Sequence, residues 1–171
     1  TIIIPRHIDR VPSIINELEK LNLKIHLHGT RNQVNKNIDI YLVDSYGNTK
    51  PFYKISKAVF LGGSMIRHGG QNPIDAAKLG CKIYHGPYVY NFEEVYEILK
   101  NNNISVKVET YTELGTNLIK DLETPVKKDD KISPVINNLG QKTLTDTMKY
   151  INSFLFNENK FRIYFFSFFC T

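Results

Sequence analysis

The residues best suited to chemistry in this sequence form a glycine-rich connection near the middle of the chain. An apolar run ending at Leu61 leads into Gly62-Gly63-Ser64 and then into Gly69-Gly70-Gln71-Asn72-Pro73-Ile74-Asp75. Glycines let the backbone approach a ligand closely, and Asn72 followed by Pro73 is typical of a helix start. The N–H groups of such a start can receive phosphate oxygens, while Asp75 can serve a ribose hydroxyl. A tight turn before an ordinary capped helix is the alternative, but two glycine pairs in one connection favour a functional loop.

Two further loops carry polar groups that suit a nucleotide. Pro5-Arg6-His7 follows the first apolar run, and the planar fork of Arg6 can pair with a phosphate or a carboxylate. Asp44-Ser45-Tyr46-Gly47-Asn48-Thr49 follows another apolar run, and its amides and hydroxyls can meet a base or a ribose. A solvent-exposed loop with an Arg6–Asp9 salt bridge and a simple β-turn are the respective alternatives.

The histidines do not predict a metal site. His26 and His28 flank Leu27 on a predicted strand, so both side chains lie on one face, but no third ligand is evident. Hydrogen-bonded, partly buried histidines are the better interpretation. The pair Asp129-Asp130 lies in a charged segment without a preceding apolar strand, which indicates solvated surface. No Ser-His-Asp or Cys-His pattern is present, so the sequence assigns no catalytic residue.

The charge of the chain narrows the class of partner. The 171 residues carry a formal net charge of +5, which favours nucleotide phosphates, nucleic acid or an acidic membrane surface. Lysines and arginines are scattered rather than clustered, and this pattern disfavours a dedicated nucleic-acid interface. Cys81 and Cys170 are far apart, which predicts neither a disulfide framework nor a zinc site.

Short apolar runs alternate with helical patterns, and this alternation predicts the fold class. Strands are predicted at residues 1–4, 25–28, 38–43, 58–61, 82–84 and 106–109. Helices are predicted at residues 9–21, 51–56, 73–79 and 92–100, from about 112 to 122 and from about 141 to 155. The order implies an α/β, Rossmann-like parallel sheet with helices on both faces. Ligands of such sheets bind at the carboxyl ends of the strands, where all three candidate loops lie.

The same pattern predicts one domain over residues 1–155, followed by an aromatic tail at residues 156–171. Thr1 opens directly on Ile2-Ile3-Ile4, so we expect this chain to be an excerpt from a longer protein. Its apolar runs are all shorter than the ~20 residues that span a bilayer. We expect the tail to pack against another domain, with contact to a bilayer surface or a poorly ordered chain end as the alternatives.

Taken in order, the motifs resemble a known family. The motifs that carry the resemblance are Pro5-Arg6-His7, Tyr46-Gly47-Asn48, Gly62-Gly63-Ser64, the run from Gly69 to Asp75, and His85-Gly86-Pro87 with Asn91-Phe92. This ordered set resembles the C-terminal domain of bacterial 3-deoxy-D-manno-octulosonic acid (Kdo) transferases. Each motif alone is weak, whereas the ordered set is specific and spans most of residues 1–155.

The resemblance implies a two-domain GT-B glycosyltransferase that needs no metal or other cofactor. Such an enzyme moves Kdo from CMP-Kdo to a lipid A precursor at the cytoplasmic face of the inner membrane, in lipopolysaccharide biosynthesis. It implies that CMP is held by Pro5, Arg6, Tyr46, Gly47, Asn48, Asn72, Pro73, Ile74 and Asp75. It implies that the donor loop is shaped by Gly62, Gly63, Ser64, Gly69 and Gly70. The catalytic carboxylate belongs to the N-terminal domain of the family, so we expect this chain to bind donor and transfer nothing alone.

Three positions depart from the family pattern. The family usually has His where Gln71 stands and Glu where Asn48 and Asp75 stand. Asp75 keeps the carboxylate on a shorter arm, whereas Asn48 loses a charge. The alternatives are another GT-B nucleotide-sugar enzyme, either a UDP-sugar transferase or an epimerase, and a non-catalytic nucleotide-binding module. A P-loop or dehydrogenase domain is disfavoured because neither glycine signature is present.

Overall fold

The computed structural model describes residues 1–30, 34, 36–47, 49–123 and 132–155, in which strands and helices alternate. The strands are β1 (Ile2–Ile3), β2 (Ile25–Leu27), β3 (Ile40–Leu42), β4 (Ala58–Leu61), β5 (Lys82–His85) and β6 (Ser105–Lys107). A 3-10 helix (Ile8–Arg10) precedes α1 (Val11–Lys20), and α2 (Lys50–Ile55), α3 (Ile74–Lys78), α4 (Glu93–Asn101), α5 (Tyr111–Glu123) and α6 (Ile132–Leu155) follow. Each predicted strand is present within a few residues of its expected bounds.

Within the described residues the strands form two parallel three-stranded sheets, with strand orders β1-β3-β2 and β4-β5-β6. Ile2 is in register with Tyr41 in the first sheet, and Ala58 is in register with Lys82 in the second. The sequence predicts one parallel sheet, whereas β1 and β4 are edge strands that do not pair with each other. Because all strands run in parallel within each sheet, the loops after β1 and β3 share one edge, and those after β4 and β5 share another.

Each sheet has its own hydrophobic core. Val11, Ile40 and Leu42 form the first core, against which the spaced apolar side chains of α1 pack. The second core contains Leu61, Ala76, Ala77, Cys81, Ile83, Tyr96, Leu99, Ile104 and Ile136. Burial of one large aliphatic side chain contributes about 1.5–3 kcal/mol, so these cores hold the helices on the sheets. The loops at the strand ends are thereby fixed by rigid elements.

Helix α6 is the element for which the prediction was wrong in extent. It begins at Ile132 rather than near Gln141, because Val135 and Ile136 pack into the second core and α6 lies against α3. From Gln141 onward its residues are exposed, including Leu144 and Phe154. None of the helices in the described ranges combines the length and apolarity needed to cross a membrane. The predicted tail at residues 156–171 and the pair Asp129-Asp130 lie outside the described residues.

An ion pair between Lys82 and Asp121 connects β5 with α5. Lys82 Nζ lies 2.7 Å from Asp121 Oδ1, and Tyr84 Oη donates to Asp121 Oδ2 at 2.7 Å. Burial alone would raise the pKa of Asp121, but the hydrogen bonds from Lys82 and Tyr84 outweigh it and lower that pKa. Burial likewise opposes the charge of Lys82, yet its bond to Asp121 leaves the Lys82 pKa raised. The ionised pair is therefore favoured in the folded protein.

Candidate functional site

The glycine-rich connection after β4 forms a loop whose shape depends on positive φ angles. Gly63, Gly69 and Gly70 have φ values of 69°, 82° and 73°. The Gly70 N–H donates to the Gly63 carbonyl at 3.1 Å and closes the loop. Most other residues would be strained at these angles, so the loop backbone requires glycine at all three positions. Gly62 differs, since a side chain there would meet only the end of Gln71, at 3.9 Å.

Ser64 joins this loop to the loop after β5. Its hydroxyl is fully buried, donates to the Leu61 carbonyl at 2.6 Å and accepts from the Gly86 N–H at 2.9 Å. The Tyr88 N–H also donates to the Ser64 carbonyl at 2.9 Å. Ser64 therefore links the carboxyl ends of neighbouring strands, and its buried hydroxyl is not presented to a ligand.

Tyr90 and Asn91 hold the far end of the glycine-rich loop. Tyr90 Oη donates to the Arg67 carbonyl at 3.0 Å, and Asn91 Nδ2 donates to the His68 carbonyl at 3.3 Å. A Cβ on Gly69 would lie 2.5 Å from Asn91 Cγ and 2.7 Å from Tyr90 Cε2. Both side chains thus bind carbonyl oxygens of the glycine-rich loop, and these contacts become visible only in the folded structure.

His85 lies behind this loop and is buried. Its Nδ1–H donates to the Gly86 carbonyl at 2.7 Å, and its ring centroid is 4.4 Å from that of Tyr96. Burial lowers the pKa of His85, and the positive charges of Lys107 and Lys100 lower it further, while the bond to Gly86 opposes the shift. The neutral imidazole is thus the form that fits the fold.

We expect the stability of the chain to fall as the pH drops below about 6.5, because the unfolded His85 takes up a proton before the folded one does. The contribution of neutral His85 to stability is complete above about pH 6.5, and it is lost as the pH falls through the lowered pKa of His85 in the folded protein. Urea unfolding between pH 5 and 7 gives the free energy of unfolding at each pH. In His85→Gln this free energy should change less with pH. An unchanged pH dependence in that variant would show that His85 does not titrate in this way.

A small cavity lies at the carboxyl ends of the first sheet. It has a volume of about 100 Å³ and is lined by Ile4, His28, Val43, Ser45, Tyr46, Gly47, Thr49 and Phe52. It therefore brings the end of β1 together with the loop after β3, as the fold class predicts. Pro5 follows Ile4 directly and is half-buried, and Arg6 is exposed beside it. In the described part of the chain no ion pair joins Arg6 to Asp9, and Asn48 lies outside that part.

Asp75 lines a different groove, between α2 and α3. The groove has a volume of about 290 Å³ and is lined by Lys50, Pro51, Lys54, Asp75, Lys78 and Leu79. Lys50 Nζ lies 3.9 Å from Asp75 Oδ1, and both side chains are about half exposed. Three lysines and one carboxylate leave the groove with an excess of positive charge, which suits an anion. Tyr46 and Asp75 thus line neighbouring cavities that share α2, rather than a common one.

The helix start before Asp75 is close to the predicted one. Asn72 Oδ1 accepts a hydrogen bond from the Ile74 N–H at 3.0 Å, which is an Asx turn directly before the helix. The helix begins at Ile74, so Pro73 precedes it instead of occupying its first position. Pro73 is fully buried and fixes the path of the chain into α3.

His26 and His28 contact Tyr41 on the neighbouring strand. His28 Nδ1 lies 2.7 Å from Tyr41 Oη, and the His26 ring stacks on the Tyr41 ring at 5.3 Å. Both histidine rings thus contact Tyr41, and His28 has a hydrogen-bonding partner there. Among the residues described here, no group of three or more His, Cys, Asp or Glu side chains is placed to hold a metal ion.

Comparison with known proteins identifies what the chain is similar to. No protein-family model matches it. It is 31% identical over 98 residues to the 3-deoxy-D-manno-octulosonic acid transferase of Haemophilus influenzae, covering 57% of this chain and 23% of that protein. It is 29% identical over 160 residues to the transferase of the same name from Rickettsia felis, covering 90% of this chain and 34% of that protein. The chain thus spans between about a quarter and a third of the length of these curated relatives.

A solved structure shares the fold. The C-terminal CMP-Kdo binding domain of WaaA from Acinetobacter baumannii superposes with a TM-score of 0.71 at 23% identity, covering 82% of this chain and 72% of that one. The predicted fold class, an α/β arrangement of parallel strands with helices on both faces, is therefore confirmed. The resemblance to Kdo transferases is confirmed as well.

Proposed function

We propose that this chain, whose relatives are Kdo transferases, is the donor-binding half of such an enzyme and holds CMP-Kdo. The observation that carries the proposal is the position of the sequence motifs. The loops after β1, β3 and β4 all lie at carboxyl ends of parallel strands, in a fold shared with a CMP-Kdo binding domain. Glycosyl transfer to a lipid A precursor, within lipopolysaccharide biosynthesis at the cytoplasmic face of the inner membrane, is the activity we assign to the whole enzyme.

Each group in the site has a proposed role. Arg6 pairs with the CMP phosphate, Asp75 accepts a hydrogen bond from the ribose, and the Tyr46-Gly47 turn meets the base. Pro5, Asn48, Asn72, Pro73 and Ile74 complete the CMP contacts, and Gly62, Gly63, Ser64, Gly69 and Gly70 shape the donor loop. Support comes from the exposed Arg6 guanidinium and from the base-sized cavity beside Tyr46.

The chemistry proposed for the site is charge stabilisation. Transfer breaks the bond between the sugar's anomeric carbon and a phosphate oxygen, so negative charge grows on the departing CMP phosphate. Arg6 is suited to stabilise that charge, and the lysines of the groove beside Asp75 add a positive field. We propose that this supply of cations replaces a metal ion, and that the base acting on the acceptor hydroxyl comes from another domain.

Calorimetric titration of the 171-residue chain with CMP and UMP tests the donor site. We expect CMP to bind more tightly than UMP, and Arg6→Ala to weaken CMP binding by about ten- to a hundredfold, the loss of one charge-assisted hydrogen-bonding group. Arg10→Ala is the matched control, since Arg10 is an exposed arginine on the adjacent 3-10 helix and should leave the affinity unchanged.

Two results would contradict the proposal. Equal, weak binding of both nucleotides that is unaffected by Arg6→Ala would remove the donor site. A clear preference for UMP would instead point to a UDP-sugar enzyme on the same fold.

A further inference from the structure

The cavity at the end of the first sheet contains a side chain with no role in the proposed donor site. His28 lines it together with Tyr46, Gly47 and Thr49. The cavity measures about 100 Å³. Pockets for whole drug-sized ligands occupy roughly 300–1,000 Å³, so this one suits a single ring rather than an entire nucleotide.

The His28 ring is held in place from two directions. Its Nδ1 lies 2.7 Å from Tyr41 Oη, and its centroid is 5.7 Å from the Tyr41 ring. On the other element, Phe52 of α2 meets it edge to face at 5.5 Å. A side chain fixed in this way loses little rotamer entropy when a ligand binds, which favours it as a recognition group.

The hydrogen-bonding capacity of His28 is only half used by Tyr41. Whichever of Tyr41 Oη and His28 Nδ1 donates, Nε2 keeps the opposite role, either as donor or as acceptor. The edge of a pyrimidine base offers both kinds of partner. The exposed Tyr46 ring in the same cavity provides a flat surface on which a base can stack.

We propose that His28 binds the base of the nucleotide through Nε2, and that Tyr41 is the positioning residue that orients its ring. This inference rests on the proposed donor site and adds to it the residue that reads the base. It assigns the small cavity to the base, and leaves the phosphate and the sugar to Arg6 and the groove beside Asp75.

His26 offers a matched control on the same strand. Its ring also contacts Tyr41, here by stacking at 5.3 Å with an interplanar angle of 25°, but His26 is not among the residues lining the cavity. A variant that only disturbs the packing around the Tyr41 ring should therefore have the same effect at His26 as at His28. Loss of base recognition should follow only from substitution of His28.

The experiment compares CMP with ribose 5-phosphate, which lacks a base, by NMR titration of the full 171-residue chain. His28→Ala is expected to weaken CMP binding about tenfold, the usual effect of one lost hydrogen bond, and to leave ribose 5-phosphate binding unchanged. His28→Phe keeps the ring packing against Phe52 and should show the same loss, so a folding defect in the alanine variant would not obscure the result. Tyr41→Phe should produce a smaller loss, and His26→Ala none.

The possible results distinguish the role of His28 from the existence of the donor site. Unchanged CMP binding in both His28 variants, while Arg6→Ala weakens it, would overturn the role of His28 and leave the donor site standing. An equal loss for CMP and ribose 5-phosphate would also overturn it, because the effect would then not concern the base. If the unmodified chain binds no CMP, the donor site and the role of His28 fail together.

Discussion

Gly86→Ala is expected to lower the free energy of unfolding by about 3 kcal/mol, since an added methyl group has no room in this contact. A Cβ at this position would lie 2.5 Å from the Ser64 carbonyl carbon and 2.7 Å from the Met65 nitrogen. Both are backbone atoms, so no side-chain rotation can relieve the overlap. The loops after β4 and β5 would have to separate, which would also break the bond from the Gly86 N–H to Ser64 Oγ.

Denaturant unfolding of the purified variant measures this effect, and CMP titration shows whether the donor loop is lost with it. Gly115→Ala is the control, because Gly115 lies within α5 and a Cβ there would meet nothing within 4 Å. That change should leave stability unchanged or raise it by about 0.5–1 kcal/mol through better helix propensity. If Gly86→Ala unfolded at the same denaturant concentration as the unmodified chain, the close contact between the loops after β4 and β5 would be contradicted.

Asp121→Asn should cost about 2–3 kcal/mol of stability at pH 7, the second large effect that we expect. The substitution keeps the shape of the side chain but leaves Lys82 with no opposite charge in a site where the side chains of Lys82 and Asp121 are only 29% and 13% exposed. Tyr84 Oη loses a charged acceptor at the same time. Since these groups fasten α5 to β5, we expect α5 to exchange its amide protons faster in the variant.

The pH dependence of this pair has a definite sign. The pKa of Asp121 is lower in the folded state than in the unfolded chain, so its contribution is complete above about pH 4 and is lost as the pH falls through the folded-state pKa. Acid unfolding followed by circular dichroism should therefore be less steep in Asp121→Asn. Glu109→Gln is the control, because the Lys107–Glu109 pair is about half exposed and should contribute little. Equal losses in the two variants would contradict a special role for the partly buried pair.

The order and type of the elements could be predicted because apolar spacing directly reflects which face of a strand or helix is buried. The start of α6 at Ile132 could not be predicted in this way. Residues 132–140 contain Pro134, two asparagines and Gly140, which are poor helix formers in the interior of a helix. Packing of Val135 and Ile136 into the second core stabilises a helical turn that local preference opposes, and Pro134 is tolerated because it lies in the first turn.

The candidate site was predictable as a set of loops but not as a set of contacts. Parallel strands bring the ends of β1, β3 and β4 to sheet edges, so the motifs could be located from their order alone. The bond between Ser64 and Gly86 joins loops that follow different strands, and no local pattern reports it. The division between the Tyr46 cavity and the Asp75 groove likewise depends on where α2 packs. His28 was noticed as a possible ligand for metal, and only the cavity shows what else it can contact.

The bonds that Tyr90 and Asn91 make to the glycine-rich loop have an evolutionary consequence. They reach the carbonyl oxygens of Arg67 and His68, which every amino acid possesses, and leave those two side chains exposed. Substitutions at Arg67 or His68 can therefore accumulate during divergence without dismantling the loop, whereas Gly69 is confined by its backbone angle and its neighbours. A lineage can in this way vary the surface it presents to a ligand while inheriting the same loop.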